Sequence, residues 1–261
     1  MKKNLLDIIF RSDRRKNVLL LLQNGPQEME TFLKSLKTSR QALLPQMRIL
    51  ENHHLIFHYE DTYELTIIGK LLVDEMVPLL ETIEVFDKDI DYWGNHNFDF
   101  IPPHLLKKIS QIRNYEIINP SLTDMYTFHE KFNDNSIPKK SIYVVSAFLY
   151  PNHCQIISKI IEKKIDFFFI VSEDLLDKIR THHYADFKKF IESEHFNFYV
   201  STKKMEFSSF TFDDYHILTS LLTKKGQFDN KYILCTSKDS LQWGKELFEH
   251  CLKDSVLITD L

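Results

Sequence analysis

The chain has 261 residues, of which 43% are hydrophobic, and this composition supports packed cores and argues against a wholly disordered protein. None of its five glycines lies in a phosphate-binding loop motif, and the three scattered cysteines (Cys154, Cys235 and Cys251) argue against a disulfide framework. The net charge of −4 is uneven, because residues 1–60 contain ten Lys or Arg against six Asp or Glu. A basic head on an acidic body is typical of a protein that touches nucleic acid with one end.

The chain shows no membrane or export signal. No stretch approaches the roughly 18 consecutive apolar residues that a membrane span needs. The N-terminal residues have neither a long apolar run nor a small-residue cleavage site, so they do not predict a signal peptide. We therefore expect a cytoplasmic protein with no membrane partner and no cofactor.

The first 52 residues show the pattern of a helical head. Apolar residues at helical spacing predict a short first helix, a second that begins after Ser12 or Asp13, and a third that follows the break at Gly25-Pro26. A further helix begins near Ser39 and extends to about residue 52. Pro45 lies inside it, where proline costs about 3 kcal/mol, so we expect a distorted first turn.

A hairpin follows the helical head. Residues 55–59 and 62–66 predict two short strands, and the acidic residues Glu60 and Asp61 join them. Helices followed by such a hairpin form a winged helix-turn-helix, in which the helix after Ser39 lies in the major groove and reads bases.

Candidate DNA contacts come from this helix, the earlier basic helix and the hairpin. Arginine pairs with guanine edges and glutamine with adenine edges, whereas other basic side chains hold phosphates. The predicted DNA-binding residues are Ser39, Arg40, Gln41, Gln46, Arg48, Arg14, Lys16, His58 and Tyr63. The alternative is that the winged helix no longer binds DNA and serves as a protein-interaction module. The acidic hairpin tip is compatible with this alternative.

Residues 67–90 predict one long helix. Its apolar residues recur at alternating spacings of four and three, which is the seam along which two helices pack. The seam residues are Leu72, Met76, Leu79, Ile83 and Phe86. We expect this seam to form a homodimer, and the alternative is that it packs on its own domain.

The remainder of the chain predicts an α/β domain. Residues 142–147 and 165–171 are predominantly apolar, as strands are when both faces of their sheet are covered. Residues 93–120 contain several prolines, and we predict that they form a connector with one short helix. The expected domains are therefore residues 1–92, 93–120 and 121–261. The fold class is α+β overall, with an N-terminal winged helix-turn-helix followed by an α/β sensor domain.

An open α/β sheet binds ligands beyond the carboxyl ends of its strands. Polar side chains follow the two apolar strands at this position and predict an effector site for a small molecule. The predicted effector residues are Ser146, Tyr150, His153 and Ser172. The alternative is that this loop simply packs on the next helix. Neighbouring histidines such as His182 and His183 point in different directions on a helix, so no metal site is predicted.

Several motifs resemble those of a known family. They are LKTSRQALLPQMRILENHHLI, YELTIIGKLL, the DYW at residues 91–93, the IPPHLL at residues 101–106 and FDNKYILCTSKDSLQWGKELFEHC. Together they resemble archaeal transcription regulators of the methanogenesis regulatory protein type. The resemblance implies an ArsR-like winged helix that binds a DNA operator, followed by a sensor domain similar to the phospholipase D fold.

The phospholipase D chemistry itself is not expected. It needs a histidine, a lysine two residues later and an aspartate five residues beyond the lysine. His129 and Lys131 have the required spacing, but Ser136 stands at the aspartate position. We therefore predict no catalytic residues and no enzymatic activity.

Overall fold

A computed structural model describes residues 4–121, 124 and 139–261. The chain divides into two compact units, Met1–Ile83 and Glu84–Leu261. No helix in these described ranges is long and apolar enough to cross a membrane.

The first unit is a winged helix. Three antiparallel strands lie in the order β1-β3-β2, with Gln27 opposite Tyr63 and Ile56 opposite Leu65. The helices precede and follow the hairpin as the sequence predicts. The elements are α1 (Leu5–Phe10), α2 (Asp13–Leu21), β1 (Gln27–Glu28), α3 (Met29–Ser35), α4 (Arg40–Asn52), β2 (Ile56–Tyr59), β3 (Thr62–Leu65) and α5 (Ile67–Asp87).

Helix α4 is anchored by one apolar face. Leu43, Met47 and Leu50 are fully buried at helical spacing and pack in the same core as Phe32. The Ser39 Oγ accepts a hydrogen bond from the Ala42 backbone N (3.3 Å) and caps the helix. The helix continues through Pro45, which lies on the solvent side, where the lost backbone hydrogen bond leaves a carbonyl that water can reach.

The long helix differs from the prediction in two ways. It ends at Asp87 instead of residue 90, because the Asp89 carboxylate accepts a hydrogen bond from the Tyr92 backbone N (2.8 Å) and starts a new helix. In addition, the predicted seam does not lie on one free face. Met76 is buried and Leu72 packs in the core of the first unit, whereas Phe86 packs in the core of the second. Only Leu79 and Ile83 of the predicted seam are exposed.

The segment predicted as a connector belongs to the core of the second unit. Trp93, Leu105 and Tyr115 are buried in it, and the Trp93 indole donates a hydrogen bond to the Tyr115 hydroxyl (2.8 Å). The domain boundary therefore lies earlier than the predicted one. The elements here are α6 (Ile90–Asn95), α7 (Pro103–Leu106), a 3₁₀ helix (Ile109–Ile112) and β4 (Glu116–Ile118).

The second unit contains an eight-stranded sheet in its described part. The order is β11-β7-β6-β5-β8-β9-β10-β4, in which β5, β6 and β7 run parallel and the other pairings are antiparallel. The remaining strands are β5 (Ser141–Ser146), β6 (Asp166–Val171), β7 (Phe196–Ser201), β8 (Ser209–Asp213), β9 (Ile217–Ser220), β10 (Tyr232–Cys235) and β11 (Ser255–Leu257).

Helices cover both faces of this sheet, as the apolar strands predict. On one face a phenylalanine-rich core joins the sheet to α8 (His153–Glu162), α9 (Glu173–His182) and α10 (Tyr184–Ile191). On the other face, α11 (Lys238–Lys253) packs through Trp243 and Leu247. His183 separates α9 from α10. The α+β fold class with a winged helix and an α/β domain is confirmed.

Candidate nucleic-acid interface and ligand cavity

Helix α4 presents one polar face to solvent. Gln41, Pro45, Arg48 and Asn52 are exposed and lie at spacings of four, three and four residues, so they share one side of the helix. The apolar side of the same helix fills the core. The Arg48 guanidinium and the Gln41 amide are therefore exposed on the same side of α4. Both can contact an extended ligand such as DNA.

Arg40 connects the start of α4 to the hairpin. Its Nη2 lies 2.6 Å from the Asp61 Oδ1, and both side chains are half exposed. An exposed ion pair of this kind contributes only about 0–1 kcal/mol, so a phosphate group can displace the carboxylate. Sequence reasoning identified Arg40 but not this partner, because the pairing depends on how the hairpin folds back beside α4.

Gln46 is not available to read bases, which corrects the prediction. Its Oε1 accepts a hydrogen bond from the Arg15 Nη1 (2.8 Å), and the Arg15 guanidinium also donates to the Ile8 and Asp7 carbonyl oxygens. Arg15 thus joins α1, α2 and α4. The Gln46 Oε1 is therefore engaged within the first unit.

Tyr63 is also misassigned as a DNA contact. Only 5% of it is exposed, and its ring packs edge-on against Phe32 and stacks on His58. Burial raises the pKa of the Tyr63 hydroxyl. His58 remains half exposed and contacts the Glu51 carboxylate through Nδ1, so its ring supports the hairpin as well as facing solvent.

The remaining predicted contacts have mixed surroundings. Arg14 is exposed at the start of α2, whereas the Lys16 Nζ lies 3.0 Å from the Asp13 Oδ1. The Ser39 hydroxyl is used as a helix cap. The structure therefore brings Gln41 and Arg48 together on one free face, with Arg40 beside it.

In the second unit, a cavity of about 100 Å³ lies between α8 and the strands β5 and β8. Three of the predicted effector residues, Ser146, Tyr150 and His153, line it. Ser172 lies outside this cavity, because its Oγ accepts a hydrogen bond from the Leu175 backbone N (3.2 Å) and caps α9. We call this space the β5 cavity.

A buried ion pair forms the polar part of the β5 cavity. The Lys139 Nζ lies 2.6 Å from the Asp213 Oδ2, and both side chains are only 8% exposed. The Asp213 Oδ1 also accepts hydrogen bonds from the backbone N of Tyr215 (2.8 Å) and of His216 (2.9 Å). Sequence reasoning missed this group because the two residues meet only through the pairing of β5 with β8.

A second cavity of about 460 Å³ lies at the carboxyl end of β5. Phe148 and Tyr150 line both cavities, so the loop after β5 separates them. Burial raises the pKa of the Tyr150 hydroxyl, which therefore stays protonated as a hydrogen-bond donor. Both cavities have mainly apolar walls with a few polar groups, as small-molecule sites do.

Comparison with known proteins identifies the family. A model for the N-terminal domain of methanogenesis regulatory protein FilR1 matches residues 3–84, and a model for the middle domain of the same protein matches residues 125–254. The chain belongs to this family. The end of the FilR1 N-terminal model coincides with the division between the two compact units.

The FilR1 protein of Methanothrix harundinacea (strain 6Ac) is 21% identical to this chain over 249 residues. The match covers 93% of this chain and 55% of that protein, so the chain spans about half the length of this curated relative.

Two solved structures are distantly similar. The archaeal chromatin protein TrmBL2 is 12% identical, with a TM-score of 0.44 and coverage of 97% of each chain. The phospholipase D family member Nuc from Salmonella typhimurium is 9% identical, with a TM-score of 0.38, and the match covers 56% of this chain and 99% of Nuc. The residues weighed against the phospholipase D motif, His129, Lys131 and Ser136, lie outside the described residues.

Proposed function

We propose that this FilR1-family chain is a transcription regulator that binds double-stranded DNA through α4. The observation that carries the proposal is the exposed face of Gln41 and Arg48 on the recognition helix of a winged helix. Arginine makes bidentate contacts to guanine and glutamine to adenine, and both side chains lie where such a helix meets the major groove. The family is regulatory, and we assign the chain no catalytic step.

The charge distribution around α4 predicts how the head binds. Arg40 joins the interface when DNA displaces the Asp61 carboxylate, and Arg14 is free to contact a phosphate at the start of α2. The hairpin tip carries Glu60 and Asp61, so it adds little phosphate binding. The proposed base readers are therefore Gln41 and Arg48.

Arg48→Ala is expected to weaken binding to the operator by about tenfold or more, since a bidentate base contact contributes about 1–3 kcal/mol. The measurement is fluorescence anisotropy of the full chain with duplex DNA from the region upstream of its own gene, at several salt concentrations. If Arg48 instead holds a phosphate, the salt slope falls by about one and binding weakens on every sequence.

The matched control is Lys189→Ala, which removes an exposed positive charge from the second unit. Its affinity and salt slope are expected to equal those of the parent chain. Unchanged binding by Arg48→Ala contradicts the assignment of α4. A parent chain that binds no DNA at low salt favours the protein-interaction module.

We further propose that the chain acts as a homodimer through α5. Ile68, Leu71, Leu79 and Ile83 are all exposed on this helix and recur on one side of it. A dimer places two recognition helices about 34 Å apart, one turn of DNA, which suits a two-fold operator. This face keeps Leu79 and Ile83 of the predicted seam and adds Ile68 and Leu71, whereas Leu72, Met76 and Phe86 pack within their own units.

The third part of the proposal is that the β5 cavity binds a small effector molecule. Its walls suit a mainly apolar ligand with one polar group that reaches the Lys139–Asp213 ion pair. Such an effector changes DNA binding only if it has different affinities for two states of the regulator. Ser146 and Tyr150 remain proposed contacts, and Ser172 does not.

Val144→Phe is expected to abolish effector binding, because the added ring fills the space that Val144 now lines. A thermal-shift screen of metabolites with the parent chain identifies ligands, and the same ligands are then tested on the variant. Ser172→Ala, which changes a serine outside the cavity, is expected to keep the ligand-induced shift. A ligand that still stabilises Val144→Phe as strongly as the parent does not bind in the β5 cavity.

A further inference from the structure

A cluster of metal-binding side chains lies where α8 meets the corner between α9 and α10. Donor atoms of His153, Cys154 and His183 all lie within 4.8 Å of one another. His153 and Cys154 occupy the first turn of α8, and His183 occupies the single position that separates α9 from α10. All three belong to the second unit, and neither the family match nor the proposed DNA interface accounts for them.

The distances within the cluster suit a small tetrahedral cation. The Cys154 Sγ lies 3.1 Å from the His153 Nε2 and 3.3 Å from the Asp186 Oδ2. In a tetrahedral zinc site with bonds of about 2.0–2.3 Å, neighbouring ligand atoms are roughly 3.3–3.7 Å apart. The Cys154 Sγ–His153 Nε2 separation is close to this range, and the exposed Asp186 carboxylate lies beside the same sulfur.

The imidazole of His153 is held in the orientation that a ligand needs. Its Nδ1 lies 2.8 Å from the Tyr150 carbonyl oxygen and donates a hydrogen bond to it. This contact places the proton on Nδ1 and leaves the Nε2 lone pair directed at the Cys154 sulfur. Backbone carbonyls support metal-bound histidines in the same way, by fixing both the tautomer and the ring plane.

We propose that His153, Cys154 and His183, with Asp186 as fourth ligand, bind a Zn²⁺ ion. Thiolate and imidazole donors select zinc and its first-row neighbours over magnesium and calcium, which prefer oxygen ligands. Binding forms a Zn–S bond as the Cys154 thiol releases its proton to solvent, while His153 binds in its neutral form.

The ion connects the start of α8 to the α9–α10 corner. His153 also lines the β5 cavity, so the bound metal fixes one wall of that cavity. The zinc proposal does not depend on DNA binding or on an organic effector.

The test uses the full chain. We expect one zinc per chain after dialysis against trace Zn²⁺, measured by metal analysis. Titration with Co²⁺ is expected to give the visible bands of tetrahedral cobalt and a near-ultraviolet thiolate-to-cobalt band. Cys154→Ser and His183→Ala are each expected to weaken Zn²⁺ binding by at least about 100-fold, since even outer-shell partners of metal ligands change affinity about 10–100-fold.

Matched controls separate this site from adventitious binding. His182→Ala removes the adjacent exposed histidine, and Cys251→Ser removes a cysteine that belongs to α11. Both are expected to keep the parent affinity and the cobalt spectrum.

Circular dichroism without metal establishes that each variant folds. Because the His183 side chain is only half buried, His183→Gln serves as a second variant if Cys154→Ser does not fold. A parent chain that retains no zinc, a cobalt complex without the thiolate band, or equal binding by folded variants and controls each overturns the proposal.

Discussion

Gly69→Ala is expected to destabilise the winged-helix unit by about 3 kcal/mol or more. Gly69 lies in the first turn of α5, and a β-carbon added there would lie 2.0 Å from the Leu55 backbone carbonyl oxygen. That oxygen already accepts hydrogen bonds from the Thr66 N (3.0 Å) and Oγ1 (3.3 Å), so it cannot simply turn away. The helix must move off the base of the hairpin, and overpacking against backbone falls at the severe end of single substitutions.

Thermal unfolding measures this effect unit by unit. The two tryptophans of the chain, Trp93 and Trp243, both lie in the second unit, so their fluorescence reports that unit. We expect the circular dichroism of Gly69→Ala to show the first unit unfolding at least about 10 °C earlier. The tryptophan transition is expected to move less.

Gly94→Ala provides the matched control. Gly94 lies in α6, is exposed, and has nothing within 4 Å of an added β-carbon. Because alanine favours a helix over glycine by up to about 1 kcal/mol, this variant is expected to be as stable as the parent or slightly more stable. If Gly69→Ala and Gly94→Ala are equally stable, Gly69 does not lie against the Leu55 backbone carbonyl oxygen as described.

Local pattern was enough to predict most elements of the fold. The central residues of β5 and β6 are mainly apolar, so both the location of these strands and their two-sided burial follow from the sequence. The winged helix follows from helical periodicity and an acidic two-residue turn. These features depend on neighbours in sequence, which is why a single sequence is enough to reveal them.

The connector and the helix seam depended on packing between distant segments. Pro102 and Pro103 indicate an irregular path, but they do not reveal that Trp93 and Leu105 fill a core shared with α11. Heptad spacing shows that Met76 and Leu79 are apolar, yet not which of them faces its own unit. In the structure Met76 is buried in its own unit, whereas Leu79 is exposed to solvent.

The sequence predicts which residues have suitable side chains for the candidate site, but it does not predict which of them contact each other. Gln41 and Arg48 follow from their polar side chains on the helix before the hairpin. By contrast, Arg15 has no distinguishing signal in the sequence, although its guanidinium donates a hydrogen bond to Gln46. His183 and Cys154 are 29 residues apart and meet only because α9 ends where α10 begins.

Leu79→Glu is expected to convert the proposed homodimer into monomers. Leu79 is 51% exposed and Ile83 is 41% exposed, on the side of α5 that does not pack in the core of the first unit. In a two-fold dimer the new carboxylate is buried near its own copy, and an unpaired buried charge costs several kcal/mol. Sedimentation velocity at several protein concentrations measures the change.

Loss of the dimer is also expected to weaken binding to a two-fold operator by about 100-fold or more, since each head then binds its half-site alone. The affinity for a single half-site is expected to remain unchanged, because Leu79 lies away from the exposed face of α4. Leu257→Glu is the matched control: Leu257 has the same 51% exposure but lies on β11 in the second unit. If Leu79→Glu remains dimeric, or if Leu257→Glu is the variant that dissociates, the two copies do not meet along α5.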